Sequence, residues 1–175
     1  NFLKKVKKYL LLIIFFLLFA SKGYSNDYLF TKIIKLDEPW GSVFINNNEI
    51  IITEKSGKIK IVNVFLKEVS EIKHNLNFLE IGQGGLLDII HQNNTLWISY
   101  SENRGDSKTS TSVAKAQLNK KELDFKNIFQ ANPPIDSGYH FGSRLAIKGD
   151  YLFASAGERG QGMIAQDPTK HPGSI

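Results

Sequence analysis

The chain has 175 residues, 42% of them hydrophobic, which is enough apolar side chain for the core of one domain. Its formal net charge is +5, but five of the 22 basic residues precede position 26, and the rest balance the 17 acidic residues. A domain without excess positive charge lacks the basic surface that nucleic acids require, so we exclude that class of partner. The absence of cysteine excludes disulfide bonds and thiolate metal sites.

The first segment has the layout of a secretory signal peptide. Four lysines within NFLKKVKK are followed by the apolar run YLLLIIFFLLFA and then by the small residues of SKGYSND. The run ends at Ala20 and is shorter than the roughly 20 residues that a membrane-spanning helix needs. We expect residues 1–25 to be a signal peptide that is cleaved after Ser25, with an uncleaved anchor as the alternative.

Three later segments share one hairpin design. Each has a glycine, an apolar strand, a polar turn, a second apolar strand, and then an acidic residue and a glycine. They are WGSVFINNNEIIITEKSG from Trp40, GGLLDIIHQNNTLWISYSENRG from Gly84 and FGSRLAIKGDYLFASAGERGQG from Phe141. Weaker strand candidates, GKIKIV, SVAKAQL and FKNIFQ, lie between them. Short β-branched and aromatic runs with little helical periodicity predict an all-β fold.

The glycines of these hairpins, Gly41, Gly85 and Gly142, suggest a repeated unit. A four-stranded unit that recurs at about 40 to 50 residues is typical of a β-propeller blade. A propeller needs at least about four blades to close, and this chain has two to three such units. We therefore predict residues 26–175 to be the N-terminal part of a longer, truncated propeller domain, with an irregular β-sandwich as the alternative.

Two polar residues lie just before hairpins, Gln83 in IGQGGLL and His140 in YHFGSRL. Loops at one end of a propeller channel converge, so we expect these side chains to lie around one pocket. A single histidine in a β-rich chain is equally compatible with a packing role. The run SENRGDSKTSTS from Ser101 contains RGD, and we expect it to be a solvated connection between strands.

Six pieces of the chain, in order, resemble the quinoprotein sugar dehydrogenases of the glucose/sorbosone dehydrogenase family, especially the periplasmic aldose sugar dehydrogenases of Gram-negative bacteria. The pieces are PWGSVFINNNEIIITEKSGKIKIV, GQGGLLDII, LWISYSE, HFGSRLAI, YLFASAGERG and AQDPTKHPGSI. The resemblance implies a six-bladed propeller in the periplasm. It also implies that the protein binds pyrroloquinoline quinone (PQQ) at the channel mouth and oxidises the anomeric carbon of an aldose to a lactone.

The same resemblance implies roles for individual residues. His140 matches the catalytic general base, Glu158 matches an acidic residue that orients this histidine, and Gln83 matches a contact to quinone and substrate. Tyr139 takes the place of a sugar-binding aspartate found in the soluble glucose dehydrogenase branch, so its contact with substrate must differ. Calcium and the remaining quinone ligands are expected in later blades, and the 175-residue chain alone is therefore expected to be inactive.

The residue types suit this chemistry. Loss of a hydride from C1 of a sugar requires its hydroxyl proton to leave, and a neutral imidazole is a suitable base near neutral pH. The electron acceptor that follows the quinone is not specified by the sequence. Two alternatives stay open: a non-catalytic exported propeller that binds sugar or protein, and a lactonase-type propeller that holds a metal with carboxylates.

Export generates the first prediction. We expect the exported protein to begin at Asn26, because Gly23 and Ser25 supply the small side chains at −3 and −1 that signal peptidase requires. Intact mass spectrometry of the exported protein measures this. A mature species that retains the lysines at positions 4 to 8 would contradict it.

Overall fold

The computed structural model describes residues 28–175 and, before them, only Val6. The predicted cleavage after Ser25 therefore lies outside the described residues, as does the predicted signal peptide apart from Val6. Residues 33–175 form one unit and the residues before them are assigned to another. In the part of the chain that is described, no helix is long and apolar enough to cross a membrane.

Two sequential antiparallel sheets and a third hairpin make up the described fold. The first sheet contains β1 (Pro39–Phe44), β2 (Glu49–Glu54), β3 (Ile59–Asn63) and β4 (Glu68–His74), in that order. The second contains β5 (Leu86–Gln92), β6 (Thr95–Asn103), β7 (Thr109–Gln117) and β9 (Lys126–Gln130). The third hairpin pairs β10 (Gly142–Lys148) with β11 (Tyr151–Ala156), and a 3-10 helix follows at Gly162–Gln166.

The all-β prediction and all three predicted hairpins are confirmed. The hairpins are β1–β2, β5–β6 and β10–β11, and the weaker candidates correspond to β3, β7 and β9. Each first strand contacts the first strand of the next unit, β1 against β5 and β5 against β10. Successive four-stranded meanders with adjacent first strands are the arrangement of propeller blades. We call these three units blades one, two and three.

The parallel strand pair that links blade one to blade two was not predicted. A two-residue strand, β8 (Glu122–Leu123), leaves the second blade and pairs in parallel with the end of β4. Asn75 reinforces this junction, since its Oδ1 accepts the Phe125 N–H at 2.8 Å. The segment between β7 and β9 thus ties the outer edge of blade one to blade two.

The prediction for SENRGDSKTSTS is confirmed for RGD, which lies in the connection between β6 and β7, and wrong for the residues on either side of that connection. Most of this run lies within β6 and β7, and Thr109, Ser110, Thr111 and Ser112 are buried. Only residues 104–108 lie between the strands, and of these residues 105–108 are exposed. The hydroxyls are tolerated inside because they have buried partners, such as the Glu102 carboxylate for Ser112 at 2.6 Å.

The main core lies between blades one and two. Its members are aliphatic side chains from β2 to β8 together with two aromatic rings: Ile51, Ile59, Ile61, Ile72, Leu86, Ile89, Leu96, Ile98, Tyr100, Ala114, Ala116, Leu123 and Phe125. Burial of this apolar surface supplies the main driving force for packing one blade on the next.

A repeated hydroxyl contact joins neighbouring blades. In blade one, Thr53 on β2 accepts the Gly41 N–H at 2.9 Å and donates to the Leu87 carbonyl of blade two at 2.5 Å. In blade two, Ser99 on β6 accepts from a first-strand N–H and donates to the Ser143 carbonyl of blade three at 2.6 Å. In both cases the accepting carbonyl lies where the first strand of the neighbouring blade has a register shift.

These contacts correct the repeat that the glycines suggested. Strand register and hydroxyl contacts make Gly41 equivalent to Asp88 and Arg144, because all three donate their N–H to the second-strand hydroxyl of their own blade. Gly85 and Gly142 lie at other positions of the repeat, and both have positive φ.

Ser99 generates a prediction about stability. Ser99→Ala should lower the free energy of unfolding by about 2 kcal/mol, since it leaves the buried Asp88 N–H and Ser143 carbonyl without their shared partner. Urea unfolding of the complete gene product measures this. Ser70→Ala, on the exposed part of β4, is the matched control and should change stability by less than about 0.5 kcal/mol. Equal effects of the two changes would contradict the role given to Ser99.

Candidate active site

The loop before β10 carries His140 in an unusual backbone conformation. His140 has φ +50°, and the nearby Gly142 and Ser143 also have positive φ. Positive φ is costly for residues with a side chain, and such conformations are often found at functional sites. The opposite strand end is built to fit this loop, because a Cβ at Gly157 would lie 1.9 Å from the His140 carbonyl oxygen.

The structure brings His140 and Glu158 together. Nδ1 of His140 is hydrogen-bonded to Oε1 of Glu158, which also accepts the Gly160 N–H at 3.1 Å. The side chain of His140 is 55% exposed and that of Glu158 is 27% exposed. With Nδ1–H donated to the carboxylate, Nε2 is the unprotonated nitrogen of the neutral ring. The pair therefore presents a base nitrogen at an accessible position.

The charge of Glu158 is favoured by this geometry. The hydrogen bond from His140 lowers the pKa of the Glu158 carboxyl from its ordinary value of 4.5, with Gly160 contributing in the same direction. A carboxyl whose pKa is lowered by folding stabilises the folded state above its ordinary pKa. This stabilisation is lost as the pH falls through the lowered value. At neutral pH Glu158 is therefore an anion that holds the imidazole.

Gln83 lies beside His140, as expected from their matching positions. Its side-chain Oε1 accepts the backbone N–H of His140 at 2.9 Å, and its own N–H donates to the Gly138 carbonyl at 2.7 Å. The two turns pack backbone to backbone, since a Cβ at Gly82 would lie 2.4 Å from the Gly138 oxygen. A residue with a side chain would not fit at Gly82, because the backbone of the loop that carries His140 lies directly against it.

Tyr139 is at the edge of this cluster. The residue is 61% exposed, and its ring lies edge-on to that of His140 with centroids 6.3 Å apart. An exposed aromatic ring beside the base is suited to contact a ligand. Among residues 28–175, no group of three or more His, Asp or Glu side chains is arranged to hold a metal ion.

Sequence reasoning missed Arg159. This arginine is 2% exposed, and its guanidinium bonds to the loop that carries His140 and to Thr109 of β7. No sequence signal pointed to it, because a charged pair flanked by glycines, as in GERG, is typical of an exposed turn. Thr109 was missed for the related reason that its run was interpreted as a solvated connection.

Comparison with known proteins identifies a related family. The sequence profile of the glucose/sorbosone dehydrogenase family matches residues 36–175. The chain belongs to this family. Among curated family relatives, the aldose sugar dehydrogenase YliI of Escherichia coli K12 is 34% identical over 151 residues, which are 81% of this chain and 41% of the relative. The chain spans about two fifths of the length of the curated relatives it matches.

Solved structures of similar proteins share the fold. The soluble aldose sugar dehydrogenase of Escherichia coli, solved in its apo form, is 34% identical with a TM-score of 0.73, over 79% of this chain and 43% of that one. The PQQ-bound aldose sugar dehydrogenase of Streptomyces coelicolor is 20% identical with a TM-score of 0.68, again over 79% and 43%. The fold is therefore that of the family's β-propellers.

The contact between His140 and Glu158 generates a prediction about pKa. His140→Ala removes the largest cause of the lowered Glu158 pKa, so this pKa should rise toward 4.5, with the Gly160 N–H still holding it slightly down. NMR titration of the side-chain carboxyl carbons measures it. The pKa of Asp167, which is lowered by Thr169, is the internal control and should not move. An unchanged Glu158 pKa would show that the pair does not form in solution.

Proposed function

We propose that this chain is part of a periplasmic quinoprotein that oxidises the anomeric carbon of aldose sugars to lactones. The observation that carries the proposal is the accessible imidazole of His140, held by the Glu158 carboxylate, in a member of a sugar dehydrogenase family. The relatives' names, aldose sugar dehydrogenase, support aldoses as the substrate class.

His140 would act as the general base. The C1 hydroxyl of the sugar gives its proton to Nε2 while the hydride leaves C1. The carbon–oxygen double bond of the lactone forms between C1 and the hydroxyl oxygen. Nε2 suits this role because Nδ1 is engaged by Glu158, and the ring is exposed enough to meet a substrate.

Glu158 would fix the ring and stabilise its charged form. The carboxylate holds the Nδ1–H tautomer before proton transfer and lies against the imidazolium after it. The second hydrogen bond, from the Gly160 N–H, keeps Oε1 aligned when the ring gains its proton. Glu158 itself keeps its charge throughout, as its lowered pKa favours.

PQQ, when bound, supplies the two-electron acceptor for the hydride. The residues present fit such a group at this end of the molecule. The Gln83 side chain is exposed, and only its oxygen is hydrogen-bonded within residues 28–175, so its Nε2 donors are available to a quinone or sugar oxygen. Tyr139 adds an exposed aromatic face. We assign Gln83 to quinone and substrate contact and Tyr139 to substrate contact.

The remaining elements of the proposal rest on the sequence. The lysine-rich and apolar leader supports export, and the family resemblance supports the periplasm as the destination. Calcium and the basic residues that bind the quinone carboxylates would come from parts of the protein beyond this chain. An electron acceptor of unspecified class would then reoxidise the cofactor.

Replacement of the proposed base tests the function. In the complete gene product loaded with PQQ and calcium, His140→Gln should lower kcat for aldose oxidation by about a hundredfold or more, because the base is removed while the side-chain size is preserved. Glu158→Gln should cost less, because an amide still supports the ring. Dye-linked oxidation of a panel of aldoses measures both.

The matched control is His91→Gln, since His91 lies on β5 outside the site. It should retain parental kcat. PQQ binding, followed by absorbance titration, should be unchanged in His140→Gln. A His140→Gln enzyme within a few-fold of the parent would assign His140 to packing. Binding of sugar without oxidation by the loaded parent would favour the non-catalytic propeller.

A further inference from the structure

Arg159 is a buried cation whose contacts, among residues 28–175, are all to uncharged groups. Its Nε donates to the Tyr139 carbonyl at 3.0 Å, and its Nη2 donates to the Ser137 carbonyl. Nη1 and Nη2 donate to the carbonyl and hydroxyl of Thr109, at 3.1 and 2.6 Å. A buried guanidinium is tolerated only when its hydrogen bonds are well satisfied, so these acceptors are necessary to it.

The acceptors lie on both sides of the proposed base. Ser137 and Tyr139 precede His140 in the same loop, and the guanidinium carbon lies 3.6 Å from the ring centroid of Phe141, which follows it. Thr109 anchors the other end of the guanidinium on β7 of blade two. The planar fork thus connects three residues that bracket His140 to a strand in the neighbouring blade.

The loop needs such support because its conformation is costly. His140 has φ +50°, and the Ser137 and Tyr139 carbonyls before it accept hydrogen bonds from a buried guanidinium rather than from water. Burial lowers the pKa of Arg159 to about 10, so the side chain stays charged at neutral pH. A charged donor forms stronger hydrogen bonds to carbonyls than a neutral one does, and these offset the cost of the loop.

We infer that Arg159 is a positioning residue for His140, which it sets against Glu158 by holding the carbonyls of Ser137 and Tyr139 and the ring of Phe141. Glu158 and Arg159 are neighbours in one turn. The Glu158 carboxylate binds the imidazole of His140, and the Arg159 guanidinium binds the backbone of the loop that carries it. The inference rests on the proposed function of His140 as the base.

A lysine at position 159 could not make the same set of hydrogen bonds. A single ammonium group is a point donor, whereas the guanidinium donates from three nitrogens in fixed directions and also stacks on an aromatic ring. The four acceptor atoms of Ser137, Tyr139 and Thr109 are spread around the plane of that fork. Arg159→Lys therefore keeps the charge and removes the geometry.

The test uses the complete gene product with Arg159→Met and Arg159→Lys. Histidine-selective 15N NMR without cofactor reports which imidazole nitrogen of His140 is protonated. We expect the parent to hold the Nδ1–H form, as set by Glu158, and both variants to lose this preference. Glu158→Ala, which removes the acceptor for Nδ1–H, is the reference for complete loss. A role in stability alone would leave the tautomer of the folded protein unchanged.

Steady-state kinetics with PQQ provide the second measurement. Misplacement of a base by about 1 Å can cost about a hundredfold, so we expect both variants to lose about ten- to a hundredfold in kcat, with KM within about threefold. Arg104→Met is the matched control, because Arg104 bonds Ser110 in the same sheet and has no hydrogen bond to the loop. It should match the parent in both measurements.

The outcomes separate the two claims. Parental tautomer and kcat in a folded Arg159→Lys protein overturn the inference, and this variant decides the matter if Arg159→Met does not fold. Parental activity in His140→Gln overturns the proposed function instead. In that case the tautomer still reports whether Arg159 positions His140 against Glu158, since that measurement needs neither substrate nor cofactor.

Discussion

The hydrogen bond that each second strand sends to the next blade is the contact on which the rest of the structure depends. Thr53 and Ser99 make it through a single buried hydroxyl, which also accepts an N–H from the first strand of its own blade. The bond is directional, so it specifies the spacing of the inner strands more narrowly than non-directional apolar burial does. The distance between the turn of Gln83 and the loop of His140 follows from that spacing.

The site combines a solvent-accessible imidazole with buried residues that hold its backbone in place. The imidazole is more than half exposed, whereas the groups that hold its backbone, Arg159 and Thr109, are buried. Gln83, at the start of blade two, also fixes this backbone by accepting the His140 N–H. A strained residue held from several directions loses little entropy when it meets a substrate, which is the physical advantage of a preorganised base.

The sequence was sufficient for the hairpins because alternating apolar residues between Asn- and Gly-rich turns leave few other folds. The positions of Gln83 and His140 before hairpins predicted that they lie together, Glu158 was found only through the resemblance, and the hydrogen bonds among the three needed the structure. The strand β4 went unrecognised because it carries Glu68, Glu71 and Lys73, and a single buried residue in the core gives no apolar alternation. Arg159 could not be predicted, because its burial depends on acceptors 20 and 50 residues away along the chain.

The hydroxyl contact also explains how uneven intervals between the hairpins are compatible with regular blades. Since the angle between blades is set near their inner strands, extra residues can accumulate at the outer rim without disturbing the channel end. The segment between β7 and β9 does this, extending outward to place β8 beside β4. Its exposed turn at residues 119–121 is consequently a place where the chain would accept an inserted peptide or domain, on a segment that supplies none of the residues around His140.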